Sequence, residues 1–326
     1  MFRSKPKFLA TLALTGVLAF GVAACGSSDS DSDSSGGSSG GDVSGTIKID
    51  GSSTVAPLTE QIAELFQNEN SGVKVTVGTS GTGGGFEKFC AGETDISDAS
   101  RPIEPDEEAA CKKNGIDTSE LSVANDALTV VVNNDNPVQC MTVDQLNQVW
   151  GPDSKLSSWG DIQDLDPAYD EELDLYGPGT DSGTFDYFTE AINGEEGASR
   201  SDYNNVGEDD NQTVVGVEGS PGGMGYFGFS FYQENADNLK ALEIDNGDGC
   251  VAPSVETAQD GTYVPLSRGL FAYPSAEAMK KPEVKAFLEF YLANVNEVAE
   301  QAGFIPLTDA QLKKSEKELA ALESAS

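Results

Sequence analysis

Histidine is absent from all 326 residues. That removes the Ser-His-Asp and Cys-His arrangements of covalent catalysis, and with them a common ligand of structural zinc. No CxxC pair occurs either, so neither a metal site nor any cofactor is expected. Basic residues are scarce: 19 lysines and arginines stand against 55 aspartates and glutamates, for a formal net charge of −36. Such a chain repels polyphosphate backbones and anionic headgroups, which argues against nucleic acid as a partner. Long apolar runs are missing too. The uncharged stretch Phe8 to Ala24 falls short of the ~20 residues that a membrane span needs.

What is present begins with an export signal. Arg3, Lys5 and Lys7 precede that apolar stretch, which ends in Val22-Ala23-Ala24-Cys25. The tetrapeptide resembles the bacterial lipobox, which implies removal of residues 1–24 and a lipid on Cys25. The expected location is therefore the outer face of the cell membrane. Residues 25–42 are almost entirely Ser, Gly and Asp after the cysteine, a composition that cannot bury apolar area. As a flexible tether they reach roughly 20–25 Å. Cys90, Cys111, Cys140 and Cys250 remain, an even number that reads as two disulfides in an exported chain. Three pairings are possible. Cys90–Cys111 with Cys140–Cys250 is favoured, because the first closes a short loop.

Beyond the tether, short β runs alternate with helical patterns, so the class is α/β. Thr46–Ile49, Val73–Val77, Leu128–Val132 and Leu173–Tyr176 read as strands. Leu58, Ile62, Leu65 and Phe66 share one helical face, as do Val284, Phe287, Leu288, Tyr291, Leu292 and Val295. Val143 to Trp150 looks helical, a helix is expected over Phe86 to Cys90 after a Gly-rich loop, and Thr308 with Gln311 forms a capping box for a last helix.

Three places share one design: a strand ends, small or hydroxyl residues turn, and a helix begins. They are Ser52–Val55, Ser80–Gly85 and Ser182–Thr184. Helix N-termini leave N–H groups unpaired and carry partial positive charge, so they suit an anion. Any one of them is more often plain N-capping; three in one chain, with Arg101 in a fourth turn, point to a small oxyanion. The Gly-rich run is not a nucleotide P-loop, because Lys88 is misplaced for that motif. Arg101 is the expected clamp. Asp98 and Asp181 lie in two of these turns, where a carboxylate suits a ligand that still carries a proton, such as hydrogen phosphate. Either could be that acceptor, or neither.

At these residues the chain resembles the periplasmic-type phosphate-binding protein of the high-affinity phosphate ABC transporter. The matching stretches are Asp50–Val55, Gly78–Phe86, Thr94–Ile103, Gly179–Phe185, Ser220–Tyr226 and Tyr263–Arg268, in order along nearly the whole chain after the tether. The resemblance implies a type II periplasmic-binding-protein fold, with two α/β lobes closing on a ligand cleft. Lobe 1 would hold residues 43–127 plus 262–326 and lobe 2 residues 128–261. It also implies a non-enzymatic, monomeric receptor that binds inorganic phosphate and delivers it to a membrane permease and its ATPase. Thr54 and Val55 match the first phosphate loop, Ser80 the second, and Ser182, Gly183 and Thr184 the third. With their neighbours, the expected phosphate-binding set is Ser53, Thr54, Val55, Ser80, Gly81, Thr82, Ser100, Arg101, Asp181, Ser182, Gly183 and Thr184. Two positions depart from the pattern. Some relatives carry an arginine where this chain has Pro178, and Ser-Asp where it has Ser100-Arg101. The rival readings are the same fold on sulfate, molybdate or arsenate, a phosphatase-like enzyme, and a surface phosphate sensor.

Overall fold

A computed structural model describes residues 43–325. The signal, Cys25 and the tether lie outside the described residues.

The chain opens with a βαβ unit, β1 (Ser44–Gly51), α1 (Ala56–Glu69) and β2 (Gly72–Gly78), then α2 (Gly81–Cys90), β3 (Ile96–Ala99) and α3 (Pro105–Lys113). Pro57 in the first turn of α1 loses nothing, since its N–H has no partner there in any case. Ile62, Phe66 and Leu58 turn inward from α1. The helix expected at Phe86 starts five residues earlier: Gly81 to Gly85 are its first turns rather than a loop. Close packing explains those glycines. A Cβ on Gly85 would lie 2.6 Å from the Cα of Gly51 and 3.1 Å from Ser97 Oγ. Glycine here lets α2 press onto β1.

The 13-residue strand β4 (Leu121–Asn133) follows, then β5 (Cys140–Thr142), α4 (Val143–Trp150), β6 (Asp174–Gly177), α5 (Gly183–Asn193) and β7 (Asn204–Asn205). The chain continues with α6 (Asp210–Gly219), β8 (Gly223–Gly228), α7 (Phe229–Asn235), β9 (Leu239–Ala241), β10 (Glu243–Asp245), β11 (Cys250–Val251) and α8 (Val255–Gln259). It closes with β12 (Ser267–Pro274), α9 (Pro282–Gln301) and α10 (Asp309–Ala325). The Thr308–Gln311 capping box forms as expected, Thr308 Oγ1 accepting from the Gln311 N–H at 3.2 Å and Gln311 Oε1 from the Thr308 N–H at 2.9 Å.

Among the described residues a nine-stranded sheet runs β2-β1-β3-β12-β4-β8-β6-β7, with β9 also paired to β4. The pairs β1–β2, β1–β3, β6–β8 and β6–β7 are parallel, while β12 and β4 run antiparallel to their neighbours. On β4 the partner changes: residues up to Ala127 pair with β12, and Leu128 onward pair with β8. Two hydrophobic cores flank that change. One gathers Ile47, Leu58, Phe66, Val123, Leu270, Phe287 and Leu292. The other gathers Leu128, Val130, Trp150, Phe188, Tyr226 and Leu266. The disulfides are Cys90–Cys111, which joins α2 to α3, and Cys140–Cys250, which joins β5 to β11. This is the favoured pairing of the three. No helix of the described residues is long and apolar enough to cross a membrane.

Candidate functional site

The three turns singled out in the sequence converge. Among the described residues, the N–H groups of Ser53, Thr54 and Val55, just before α1, donate to no acceptor. Val55 is fully buried, so its backbone is what it can offer. At the second turn, Ser80 is the residue before α2. Asp50 accepts from its N–H at 3.1 Å and from its Oγ at 2.5 Å, and Lys88 Nζ reaches the other Asp50 oxygen at 2.6 Å. Burial pushes the Asp50 carboxyl up, but its bonds to Lys88 and Ser80 outweigh that and hold it below the usual range. Thr82 Oγ1 lies 3.0 Å from Ser100 Oγ and accepts from the Ser100 N–H at 3.1 Å, which ties α2 to the end of β3. At the third turn Ser182 caps α5 by accepting from the Thr184 N–H at 3.3 Å.

Between these turns lies a cavity of about 360 Å³. Ser52, Ser53 and Thr54 line it with Ser80 to Gly84, Ser100, Arg101, Gly183 and Arg268. Asp186, Tyr187, Glu190 and Glu196 form its remaining wall. A Cβ on Gly183 would sit 3.5 Å from Thr54 Oγ1, so the first and third turns nearly touch. Ser182 and Thr184 face a second cavity of about 500 Å³ beyond that contact, with Ser53, Thr54 and Gly183 shared by both. The structure therefore brings Ser53, Thr54, Ser80, Gly81, Thr82, Ser100, Arg101 and Gly183 onto one cavity. Asp181 and Val55 line neither.

Asp98, read from sequence as a turn residue, is buried in β3 and lines neither cavity. One of its oxygens accepts from Thr59 Oγ1 at 2.7 Å, and that hydroxyl lies 3.0 Å from Tyr291 Oη. Burial pushes its carboxyl up to about 7.

Both arginines of the cavity carry ion pairs. Arg101 donates from Nη1 and Nη2 to the two oxygens of Glu107, at 2.8 Å each, and its Nε lies 3.4 Å from Glu104. Glu107 stands at the third position of α3, where it also accepts from the Glu104 N–H. Arg268 escaped the sequence reading as a site residue, although it ends one of the matched stretches. On β12 it faces Asp126 of β4 in register. Its Nε donates to Asp126 at 3.1 Å, its Nη2 donates to Thr54 Oγ1 at 2.9 Å, and its guanidinium lies 3.6 Å from the centre of the Tyr187 ring. The signal that would have found it is its scarcity, since basic residues are few, but its partners are 142 and 214 residues away.

The acidic wall is the unexpected part of the site. Burial raises the Asp186 carboxyl; Arg268 opposes this and Glu190 adds to it. Glu196 is raised by burial and then by Asp186 and Glu190. The cavity thus sets hydroxyls, amides and two guanidinium groups against three carboxylates. The carboxylates place acceptors opposite a set made mostly of donors. For metals, the one trio of ligand-type side chains among the described residues is Cys140, Glu243 and Cys250, whose sulfurs are joined in a disulfide.

A family model described as a PBP superfamily domain matches residues 36–295. Protein SphX of Synechococcus elongatus is 49% identical over 264 residues, covering 80% of this chain and 77% of that protein. The phosphate-binding protein PstS of Staphylococcus saprophyticus is 37% identical over 278 residues, 84% of each chain. Among solved structures, a possible phosphate binding protein from Planctomyces limnophilus superposes with a TM-score of 0.82 at 45% identity, covering 86% of this chain and 99% of that one. The chain belongs to the PBP superfamily, in the family that includes SphX and the phosphate-binding protein PstS.

Proposed function

We propose that the protein captures inorganic phosphate outside the cytoplasm and hands it to the permease and ATPase of an ABC transporter. The observation that carries the reading is the convergence of the turns before α1, α2 and α5 on one cavity with Arg101 and Arg268. Relatives whose names state phosphate binding, at 37% identity across most of both chains, support it. Residues 43–127 with 262–326 would form one lobe and 128–261 the other, built on the two cores described above, and closure of the cleft between them would sequester the ligand. A lipid on Cys25 would hold the receptor at the membrane. Binding without covalent chemistry fits a site that offers donors and charge, where the carboxylate that accepts from the Ser80 hydroxyl, Asp50, is shared with Lys88 and held a poor base.

The acidic wall bears on selectivity. Asp186, Glu190 and Glu196 can accept the proton of hydrogen phosphate, the part the sequence reading offered to Asp98 or Asp181. They would leave a fully ionised sulfate repelled. Calorimetry with phosphate and with sulfate, at pH 6 and pH 8, tests this. Phosphate heat with little sulfate heat is expected. Absence of phosphate binding at both pH values would refute the function, and equal affinity for sulfate would refute the role of the wall.

A further inference from the structure

We propose that Arg268 is the principal anion-binding side chain of the cleft, that Asp126 is its positioning residue, and that Arg101 has a subsidiary part. This rests on the phosphate reading and concerns which guanidinium serves it.

An arginine that clamps an oxyanion must keep part of its fork free. Arg101 does not. Both Nη atoms are taken by Glu107, Nη1 also donates to the Pro102 carbonyl at 3.2 Å, and Nε faces Glu104. The same carboxylate closes the capping box of α3, which holds it in place facing Arg101. For both Nη atoms of Arg101 to grip an anion, that bidentate ion pair must be broken.

Arg268 is built the opposite way. Asp126 holds Nε, Thr54 takes Nη2, and Nη1 has no partner among the described residues. The pair is well shielded, with side chains 14% and 12% exposed. The Tyr187 ring covers one face of the guanidinium, and Tyr187 is itself fixed by donating from its hydroxyl to the Pro265 carbonyl at 2.9 Å. Three contacts from β4, the turn before α1, and α5 therefore set the plane of the fork before any ligand arrives. A group ordered in advance costs the ligand less entropy on binding. Thr54 adds a second effect. Its oxygen accepts from a charged donor, so its own hydroxyl hydrogen stays available, and accepting that bond strengthens it as a donor. Asp126, Arg268 and Thr54 thus form a relay that ends at the N–H groups before α1.

The test is phosphate calorimetry on the whole protein, stripped of bound phosphate, with R268Q, R268K, R101Q, D126A and the R268Q/D126A double variant. Losing a charged hydrogen-bond donor to an anion predicts a weakening of about 30-fold or more for R268Q. R268K should lose nearly as much, since an ammonium cannot keep three such contacts at once. R101Q should weaken binding by clearly less than R268Q. D126A should weaken binding alone, yet change R268Q by less than about twofold, because a positioning residue acts only through its partner. A purely structural role for Asp126 would instead add fully in the double variant. Melting temperatures without phosphate identify variants that fold poorly; if R268Q is one, R268K carries the comparison with R101Q. A loss in R101Q equal to or larger than that in R268Q overturns the assignment of Arg268, and additivity of D126A overturns the assignment of Asp126. Failure of the wild type to bind phosphate at all is a different result, and it falls on the proposed function.

Discussion

Asp98→Asn should remove a large part of the protein's loss of stability at rising pH. Asp98 lies in β3 with essentially no exposed surface, one oxygen bonded to Thr59 and the other without a partner. Burial, opposed by the Thr59 bond and assisted by the charge of Asp50, lifts its carboxyl from 3.8 to about 7. A raised folded value means that the unfolded chain gives up its proton first. The group's contribution to stability is therefore complete below pH 3.8 and is lost as pH rises, levelling off above about 7. Three pK units correspond to about 4 kcal/mol at the plateau, of which about 2.5 kcal/mol falls between pH 5 and pH 8. At about 2–4 °C per kcal/mol for a chain of this size, that is a drop in Tm of about 5–10 °C. Asp210, raised to about 6 mainly by burial, moves the same way, so the wild-type curve alone is not diagnostic. The assay is thermal unfolding of wild type and D98N at pH 5, 6, 7 and 8 with disulfides intact. The new amide adds a pH-independent offset of either sign. The two curves should converge or diverge by about 2.5 kcal/mol across the range. Parallel curves would refute the reasoning and place the Asp98 carboxyl in its ordinary range.

Gly85→Ala should destabilise the fold by about 1–3 kcal/mol in denaturant titration, since its methyl would meet backbone of β1 at 2.6 Å; no loss would show that α2 can lift away. Phosphate association should speed up when salt rises from 0.01 to 0.1 M, because a chain of net charge −36 repels an anion and the screening length falls from ~30 to ~10 Å. Stopped-flow association that slows over this range would show that the local field of Arg101 and Arg268 dominates the global one.

Much of the fold was written in local patterns. α4 was read at its true ends, because Thr142 and Gln145 cap it and Leu146, Val149 and Trp150 share a buried face. The helix α6 was not seen. It buries only Thr213, Val214 and Val217, and it contains Gly216, whose missing side chain leaves room for the Tyr176 ring. Such a helix exists because of what packs on it, and no window of sequence reveals that. The site divides in the same way. Thr54, Ser80 and Gly183 were found because each belongs to a short strand–turn–helix signature. Arg101 was found as a lone cation in a turn, but its bond to Glu107 depends on α3 turning back, and the burial of Asp98 depends on α1 and α9 lying over β3. Arg268 and the acidic wall depend on strand register and on helix α5 facing the cleft, which are properties of the assembled sheet.

The exchange of partners on β4 has a mechanical consequence. The two cores are joined through β4, which runs as a continuous strand from one to the other, and through the start of β12, where Leu266 enters one core and Leu270 the other. Beside the junction, Asn125 and Ile305 exchange backbone hydrogen bonds at 2.8 and 2.9 Å, and the Gln259 side chain donates to the Pro306 carbonyl at 2.9 Å. Any rotation of one core against the other must therefore wind or unwind those strands like a torsion bar. Arg268 and Asp126 sit on that bar. The residues that would grip the anion are the ones a twist would reorient, so grip and rotation share a single axis.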